Sequence, residues 1–249
     1  MKVKTILVSQ PEPKIENSPY FDLQEKQKVK VDFRPFIHVE GVSGKDIRQQ
    51  KIDLSKFTAI ILTSRNSVDH FFRVADEMRF KVPDTLKYFC QSEAVAYYLQ
   101  KYVVYRKRRI YVGKRIFEDL TPLIKKYKDE TFLLPTTDKV KPVIINTLDV
   151  LGVTWTQATF YKTVISDLSD LANVSYDILV FFSPSGIDSL FKNFPEFEQQ
   201  NTRIAVFGNT TIKAVKEKGL RVDISAPTPE TPSMTMALQK YIDSVNKRK

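Results

Sequence analysis

The chain has 249 residues, 42% of them hydrophobic and 12% aromatic, which excludes a disordered polymer and suits one large domain or two modest ones. A single cysteine, Cys90, excludes an intramolecular disulfide and suits a reducing compartment; with two histidines, His38 and His70, a structural zinc site is excluded too. The net charge of +10 would suit nucleic acid, a membrane surface or a polyanionic small molecule, but no apolar run approaches the roughly 20 residues that span a bilayer.

In chain order, short apolar runs alternate with stretches of helical period. Residues 1–9 carry too short an apolar run for a secretory leader and no small-residue cleavage site, so residues 5–8 read as a first strand and the protein is expected in the cytoplasm. Further strands are expected at 29–33, 59–62, 86–90, 103–105, 131–134, 177–182, 204–207 and 222–224. Helices are expected at 67–78, 93–101, 117–126, 140–151, 186–193, 211–218 and 233–245. Gly152 and Gly219 stand where a left-handed residue closes a helix. This alternation is that of α/β folds with parallel sheets wrapped by helices. Between the strand at 103–105 and the next helix lies the densest cationic run, Arg106-Lys107-Arg108-Arg109. It lacks the heptads, Cys/His spacing or aromatic pattern of a nucleic-acid reader, and reads as a solvated strand end or as a patch that steers an acidic ligand.

One pattern occurs twice. Residues 58–72 align without a gap on residues 177–191, 119 positions later, each an apolar run that ends at a serine (Ser64, Ser183) before a polar turn and a helix. A second match follows each, with hydroxyl residues Ser92 and Thr210 at corresponding turns. Ser64 and Ser92 stand 28 residues apart, Ser183 and Thr210 27. Two homologous α/β halves are implied, with hydroxyl-bearing turns at strand carboxyl ends, where open α/β sheets bind ligands. Two extended segments, 32–38 and 158–165, flank the first complete copy. They suggest a discontinuous lobe one (residues 1–34 plus 165–249), an inserted lobe two (37–162), and a two-stranded β connection with hinges at 35–36 and 161–164. Symmetry then places the ligand in a cleft between lobes that close on it.

The hydroxyls of Ser64, Ser92, Ser183 and Thr210 have a structural use as helix caps. They also mark helix N-termini, whose free N–H groups and partial positive charge attract carboxylate or phosphate. Gly208-Asn209-Thr210-Thr211 is the sharpest of these turns, since Gly208 permits close backbone approach. Covalent catalysis is not indicated: the serines lack a nucleophile elbow, and His38 and His70 read as surface or packing residues. Cys90 reads as a small buried hydrophobe and Trp155 as a strand packing residue. No phosphate-binding glycine motif occurs, so no nucleotide cofactor is indicated. Tyr161, at the second crossing, reads equally as a packing residue or as a phenol that donates a proton to a leaving group.

The order Phe182-Ser183-Pro184-Ser185-Gly186, then Ile204-Ala205-Val206-Phe207-Gly208-Asn209-Thr210-Thr211, then Lys218-Gly219-Leu220-Arg221-Val222 and Ala226-Pro227-Thr228-Pro229, resembles the uroporphyrinogen-III synthase family. The likeness spans essentially the whole chain and is most specific over residues 177–240. It implies two lobes on a β connection and a cofactor-free lyase without metal. Such an enzyme cyclises hydroxymethylbilane, a linear tetrapyrrole with eight carboxylates, to uroporphyrinogen III. Loss of the terminal hydroxyl gives an azafulvene cation, and ring D is inverted through a spiro intermediate. By position Tyr161 matches the family tyrosine thought to assist hydroxyl departure; Ser183, Ser185, Thr210 and Thr211, with the Gly208-Asn209 turn, match substrate contacts in lobe one, and Thr63, Ser64 and Ser92 those in lobe two. Two departures stand out: Ser9-Gln10-Pro11 where members often have Thr-Arg-Pro, and Cys90-Gln91-Ser92 where many have a Gly-rich turn. A cytoplasmic monomer is expected, with transient hand-over of substrate from hydroxymethylbilane synthase and no nucleic-acid or membrane partner. The competing reading is a non-catalytic two-lobed binder of an acidic small molecule or tetrapyrrole.

Overall fold

The structure, a computed structural model, describes residues 2–246. The chain begins with β1 (Thr5–Val8), α1 (Pro19–Gln27) and β2 (Lys30–Phe33). It continues through β3 (Ile37–Gly41), α2 (Gly44–Gln49), β4 (Ala59–Leu62), α3 (Arg65–Glu77), β5 (Lys87–Cys90), α4 (Glu93–Leu99) and β6 (Ile110–Val112). A 3₁₀ turn (Phe117–Leu120) leads into α5 (Thr121–Lys126), then β7 (Phe132–Thr137), α6 (Pro142–Leu151) and the long β8 (Trp155–Ile165). Last come β9 (Ile178–Phe181), α7 (Pro184–Asn193), β10 (Arg203–Phe207), α8 (Asn209–Glu217), β11 (Ile224–Ala226) and α9 (Met234–Asn246).

Two compact units result: one from the residues up to His38 together with those from Val164 onward, the other from Val39–Thr163. The first holds an all-parallel five-stranded sheet in the order β11-β10-β9-β1-β2. The second holds six strands in the order β3-β8-β7-β4-β5-β6, parallel from β8 to β6. At its edge Val42 N–H donates to Phe160 O and Ser166 N–H to Phe36 O, so β3 ascends as β8 descends and the pair is antiparallel.

Both sheets are covered on both faces, which is why their strands read as continuous apolar runs. In β4, Ile60 and Leu62 join Val68, Phe71 and Val74 of α3 on one face, while Ala59 and Ile61 meet Phe117, Ile124 and Leu148 on the other. In the first unit Ile6, Val8 and Val180 pack under α1 and α9, and Leu7, Leu179 and Phe181 under α7 and α8.

The two sheets share one spatial order entered at different points. Matching β9-β10-β11 with β4-β5-β6 leaves β1-β2 to match β7-β8, and the helices follow. Thus α7 and α8 share a face as α3 and α4 do, and α1 joins α9 as α6 joins α5. Each unit is a circular permutation of the other. Direct alignment therefore registers only the shared β-α-β-α stretch.

Strand and helix positions follow the sequence reading closely, with three corrections. Residues 103–105 are not a strand. The amides of Gln100, Lys101, Tyr102 and Val103 bond to carbonyls of Tyr97, Tyr98 and Leu99, holding a turn that leaves Val104 exposed. The edge strand is instead β6, beyond the basic run. Within that run, Arg106, Lys107 and Arg108 are solvated, but Arg109 is a fastener, bonding Leu86 O, Pro83 O and the Asp84 carboxylate. Second, β11 begins at Ile224 rather than residue 222, because pairing with Ala205 sets its register. Third, α1 and α2 were unforeseen: α1 buries only Leu23 and α2 is six residues long, so neither carries an apolar period; Ser18 and Ser43 cap them.

Candidate active site

Open α/β sheets bind ligands outside the strand carboxyl ends, where neighbouring strands send the chain in opposite directions. That switch point lies between β1 and β9 in the first unit and between β4 and β7 in the second. The turns concerned are Ser9-Gln10 and Phe182-Ser183, and Thr63-Ser64 and Thr137-Asp138. An apolar cavity of about 640 Å³ in the first unit, lined by Leu7, Tyr176, Phe194 and Phe197, opens instead near residues preceding β9 and β10, at the opposite sheet edge.

The hydroxyls differ in what they already do. Ser64 Oγ accepts from Ser67 N–H at 3.1 Å, and Ser67 Oγ accepts from the amides of Thr63 and Ser64, a reciprocal cap on α3. Ser183 Oγ accepts from Gly186 N–H at 3.3 Å and caps α7. A Cβ on Gly186 would stand 3.8 Å from the hydroxyls of both Ser183 and Ser9, so those two turns approach each other at the switch point. Ser185 is half-buried in the first turn of α7.

The other two turns are uncapped by side chains. Ser92 makes no cap bond to α4, whose first turn carries Glu93. That carboxylate already answers the positive helix end, so at this turn the Ser92 hydroxyl, not the helix terminus, is what remains to meet a ligand. The α8 start has neither cap nor acid: its N-cap is Gly208 at φ 85°, followed by exposed Asn209 and Thr210. Thr211, fully buried in the same turn, leaves its hydroxyl without a hydrogen-bond partner. Of the four turns, this one retains the most unused capacity for a carboxylate.

Tyr161 sits on β8, whose pairing with β7 runs Thr136 to Thr159 and then Thr137 to Tyr161, skipping Phe160. The bulge re-aims one side chain, so the consecutive Phe160 and Tyr161 both enter the cluster beneath α3. The Tyr161 ring is 7% exposed and its hydroxyl lies 3.4 Å from Ser64 Oγ. Burial pushes the phenol above its ordinary pKa of 10, against the Ser64 hydrogen bond. It therefore stays protonated at neutral pH and is available as a donor. Cys90, on β5 in the same cluster, is fully buried, its thiol pushed up to about 12 by burial. It is an inert packing residue.

The structure thus brings Ser64 and Tyr161 together, with Thr63 adjacent and Ser92 on the neighbouring strand's turn. Residues 208–211 and Ser183 stand on adjacent strands of the other sheet. The sequence singles out neither Thr137 nor Ser67, and it gives Ser9 only as a departure from the family pattern and His70 only as a surface or packing residue. Ser9 and Thr137 are hydroxyls after apolar strands, a signal present all along but hidden by the permutation. Ser67 and His70 lie on the α3 face that meets Ser64 and Tyr161. The helical period contained their positions but not their partners.

A family model described as uroporphyrinogen-III synthase HemD matches residues 20–236. The chain is 27% identical over 256 residues to a uroporphyrinogen-III synthase of Chlorobaculum parvum, covering 96% of this chain and all of that one. Its fold is similar to the crystal structure of uroporphyrinogen-III synthetase from Helicobacter pylori, with a TM-score of 0.65, 19% identity and 97% and 99% of the two chains covered. A mutant uroporphyrinogen III synthase from Thermus thermophilus gives a TM-score of 0.57 at 15% identity, covering 98% of this chain and all of that one.

Proposed function

This chain belongs to the uroporphyrinogen-III synthase family and hence to tetrapyrrole biosynthesis, and on that premise we propose that it acts as a lyase closing hydroxymethylbilane into uroporphyrinogen III. The C–O bond of the terminal hydroxymethyl breaks, the Tyr161 phenol donates its proton to the departing oxygen, and water leaves. The resulting azafulvene is attacked by ring D, and the spiro intermediate fragments and recloses with that ring inverted. Closure onto the unsubstituted carbon of ring D expels the proton it carried, and that proton, directly or through solvent, returns the Tyr161 phenolate to the phenol, so atoms and charge balance.

The single observation supporting this assignment of Tyr161 is its placement: a buried, protonated phenol beside the Ser64 cap at a strand carboxyl end. General-acid assistance of this kind contributes about 10²–10⁴-fold. The remaining need is to hold a substrate with eight carboxylates. We assign that to Thr63, Ser64, Ser92, Ser183 and Ser185, and above all to the α8 start, where Gly208, Asn209, Thr210 and Thr211 combine an uncapped helix end with an idle hydroxyl. Among the described residues no helix is long and apolar enough to cross a membrane; a cytoplasmic monomer belongs to the same reading.

The test is incubation of the purified protein with fresh hydroxymethylbilane, without added metal or nucleotide, followed by isomer analysis. Type III product is expected from the wild type and a rate about 10²-fold lower from Tyr161→Phe at unchanged fold. Unaided closure gives the uninverted type I isomer, so a mixture matching the enzyme-free control would leave only a binding protein.

A further inference from the structure

His70 lies six residues beyond Ser64 on α3, and its ring stacks on that of Tyr161, with centroids 5.0 Å apart and planes within 19° of parallel. Arg73 Nε donates to His70 Nδ1 at 3.2 Å. Arginine has only donors and keeps its proton. Nδ1 must therefore present a lone pair, so the imidazole is neutral with its proton on Nε2.

Arg73 is itself well held. It pairs with Glu77 one turn on, and its Nη2 donates to Val42 O at 2.7 Å and Phe160 O at 3.3 Å. Gly41 leaves the space for it, since a Cβ there would meet the guanidinium at 2.7 Å. One guanidinium thus grips both the ring that lies on Tyr161 and the carbonyl of the residue immediately before Tyr161. The bulge takes Phe160 out of the β7 ladder, and its carbonyl is held instead by Val42 N–H and by Arg73.

We propose that His70 is a positioning residue: held neutral and flat by Arg73, it fixes the Tyr161 ring so that the phenol meets Ser64 and delivers its proton along one line. This rests on the reading of Tyr161 as the donor. Neutrality matters as much as shape, because departure of the hydroxyl creates a cation and an imidazolium against the same ring would oppose it. The groups facing His70 are Asp69, Arg73 and Glu77 on α3 and Tyr161 on β8. Burial and the Arg73 charge lower its pKa below the ordinary 6.5, outweighing the two carboxylates. Protonation at still lower pH would set donor against donor at Nδ1, break the Arg73 bond and release the stack.

The test compares kcat and the type III fraction between pH 5 and 8 for wild type, His70→Ala, His70→Phe, Tyr161→Phe and the double variant His70→Ala/Tyr161→Phe. Misplacement of a catalytic group by about 1 Å costs up to about 10²-fold, so His70→Ala should lose 10- to 100-fold in kcat with KM little changed. His70→Phe restores a flat ring; it should keep most of the rate and lack the acid-side fall expected of the wild type below pH 6.5. Because His70 acts through the phenol, His70→Ala should add little to Tyr161→Phe. Nitrogen NMR gives a readout independent of turnover: with two histidines in the chain, His70 is assigned by its loss in His70→Phe and should show an unprotonated Nδ1.

An equal effect of His70→Ala in both backgrounds, or equal losses in Ala and Phe variants, would reduce His70 to a packing residue. A proton on Nδ1 at pH 7 would also overturn the proposal. If Tyr161→Phe is slow while His70→Ala is not, this inference alone fails; if Tyr161→Phe turns over at the wild-type rate, the reading beneath it fails. Should His70→Ala not fold, the pH profile of His70→Phe and the wild-type NMR decide.

Discussion

Single hydroxyls that look alike in the sequence are unlike in the fold. Ser64 and Ser183 hold their helices, and removing such a cap typically costs about 1 kcal/mol whatever else it does. The buried Thr211 hydroxyl has no hydrogen-bond partner and so adds no bond to its helix. An unpaired buried hydroxyl costs about 1–3 kcal/mol, which marks it as kept for a ligand or retained at a loss. Thr211→Val preserves the shape and removes only that oxygen. The free variant should melt at a temperature equal to or above the wild type, while KM for hydroxymethylbilane rises severalfold. A lower melting temperature would mean that the hydroxyl has a structural partner, and an unchanged KM that it does not meet substrate.

At the scale of elements, the first unit depends on joining two distant segments, and Asp177 ties them. Its carboxylate accepts from the amides of Lys4 and Thr5 at 2.7 and 3.0 Å and from the Thr5 hydroxyl, pinning the start of β1 beside β9. Burial pushes its pKa upward, but these donors and the nearby Arg203 outweigh burial and hold it below the ordinary carboxylate value. A depressed carboxylate contributes stability above its unfolded pKa of about 3.9 and loses it as pH falls through the folded value. Asp177→Ala should therefore cost about 2–3 kcal/mol at pH 7, the worth of bonds to a charged acceptor. Urea unfolding at pH 7 and pH 3 checks this: the gap to wild type should narrow at the lower pH. A gap independent of pH would show that the side chain acts by packing alone.

For the whole molecule, the permutation makes the two units unequal as folding problems. Every residue of the two clusters flanking β4–β8 comes from the continuous segment Val39–Thr163. The other sheet has β1, from the amino-terminal segment, as an interior strand between β9 and the edge strand β2, which comes from the same segment, with Ile6, Leu7 and Val8 all buried. A fragment of residues 39–163 should fold cooperatively alone, whereas residues 164–249 should not until a peptide of residues 1–38 is added. Circular dichroism with urea titration reads both. Cooperative unfolding of residues 164–249 alone would refute this, because it would mean that the buried strand β1 and its neighbour β2 are dispensable.

The local regularities were legible without the structure. Doubly covered strands are apolar throughout, a serine can end each one, and glycine closes helices, as Gly152 and Gly219 do at φ 63° and 73°. Those properties depend on near neighbours and burial, so the α/β class, most strands and the repeated turns follow from them. Partnership was not legible. Whether Ser64 caps, binds or meets a phenol depends on Tyr161, 97 residues away. Whether residues 103–105 or 110–112 form the edge depends on which segment finds Tyr88 and Cys90. The equivalence of Ser9 with Thr137 needs the strand order of both sheets, which a linear comparison cannot express once the chain enters them at different points. His70 read as an ordinary helix residue until the fold laid it on a tyrosine and an arginine on its Nδ1. Side-chain chemistry is set by what stands opposite, and only the tertiary structure places it there.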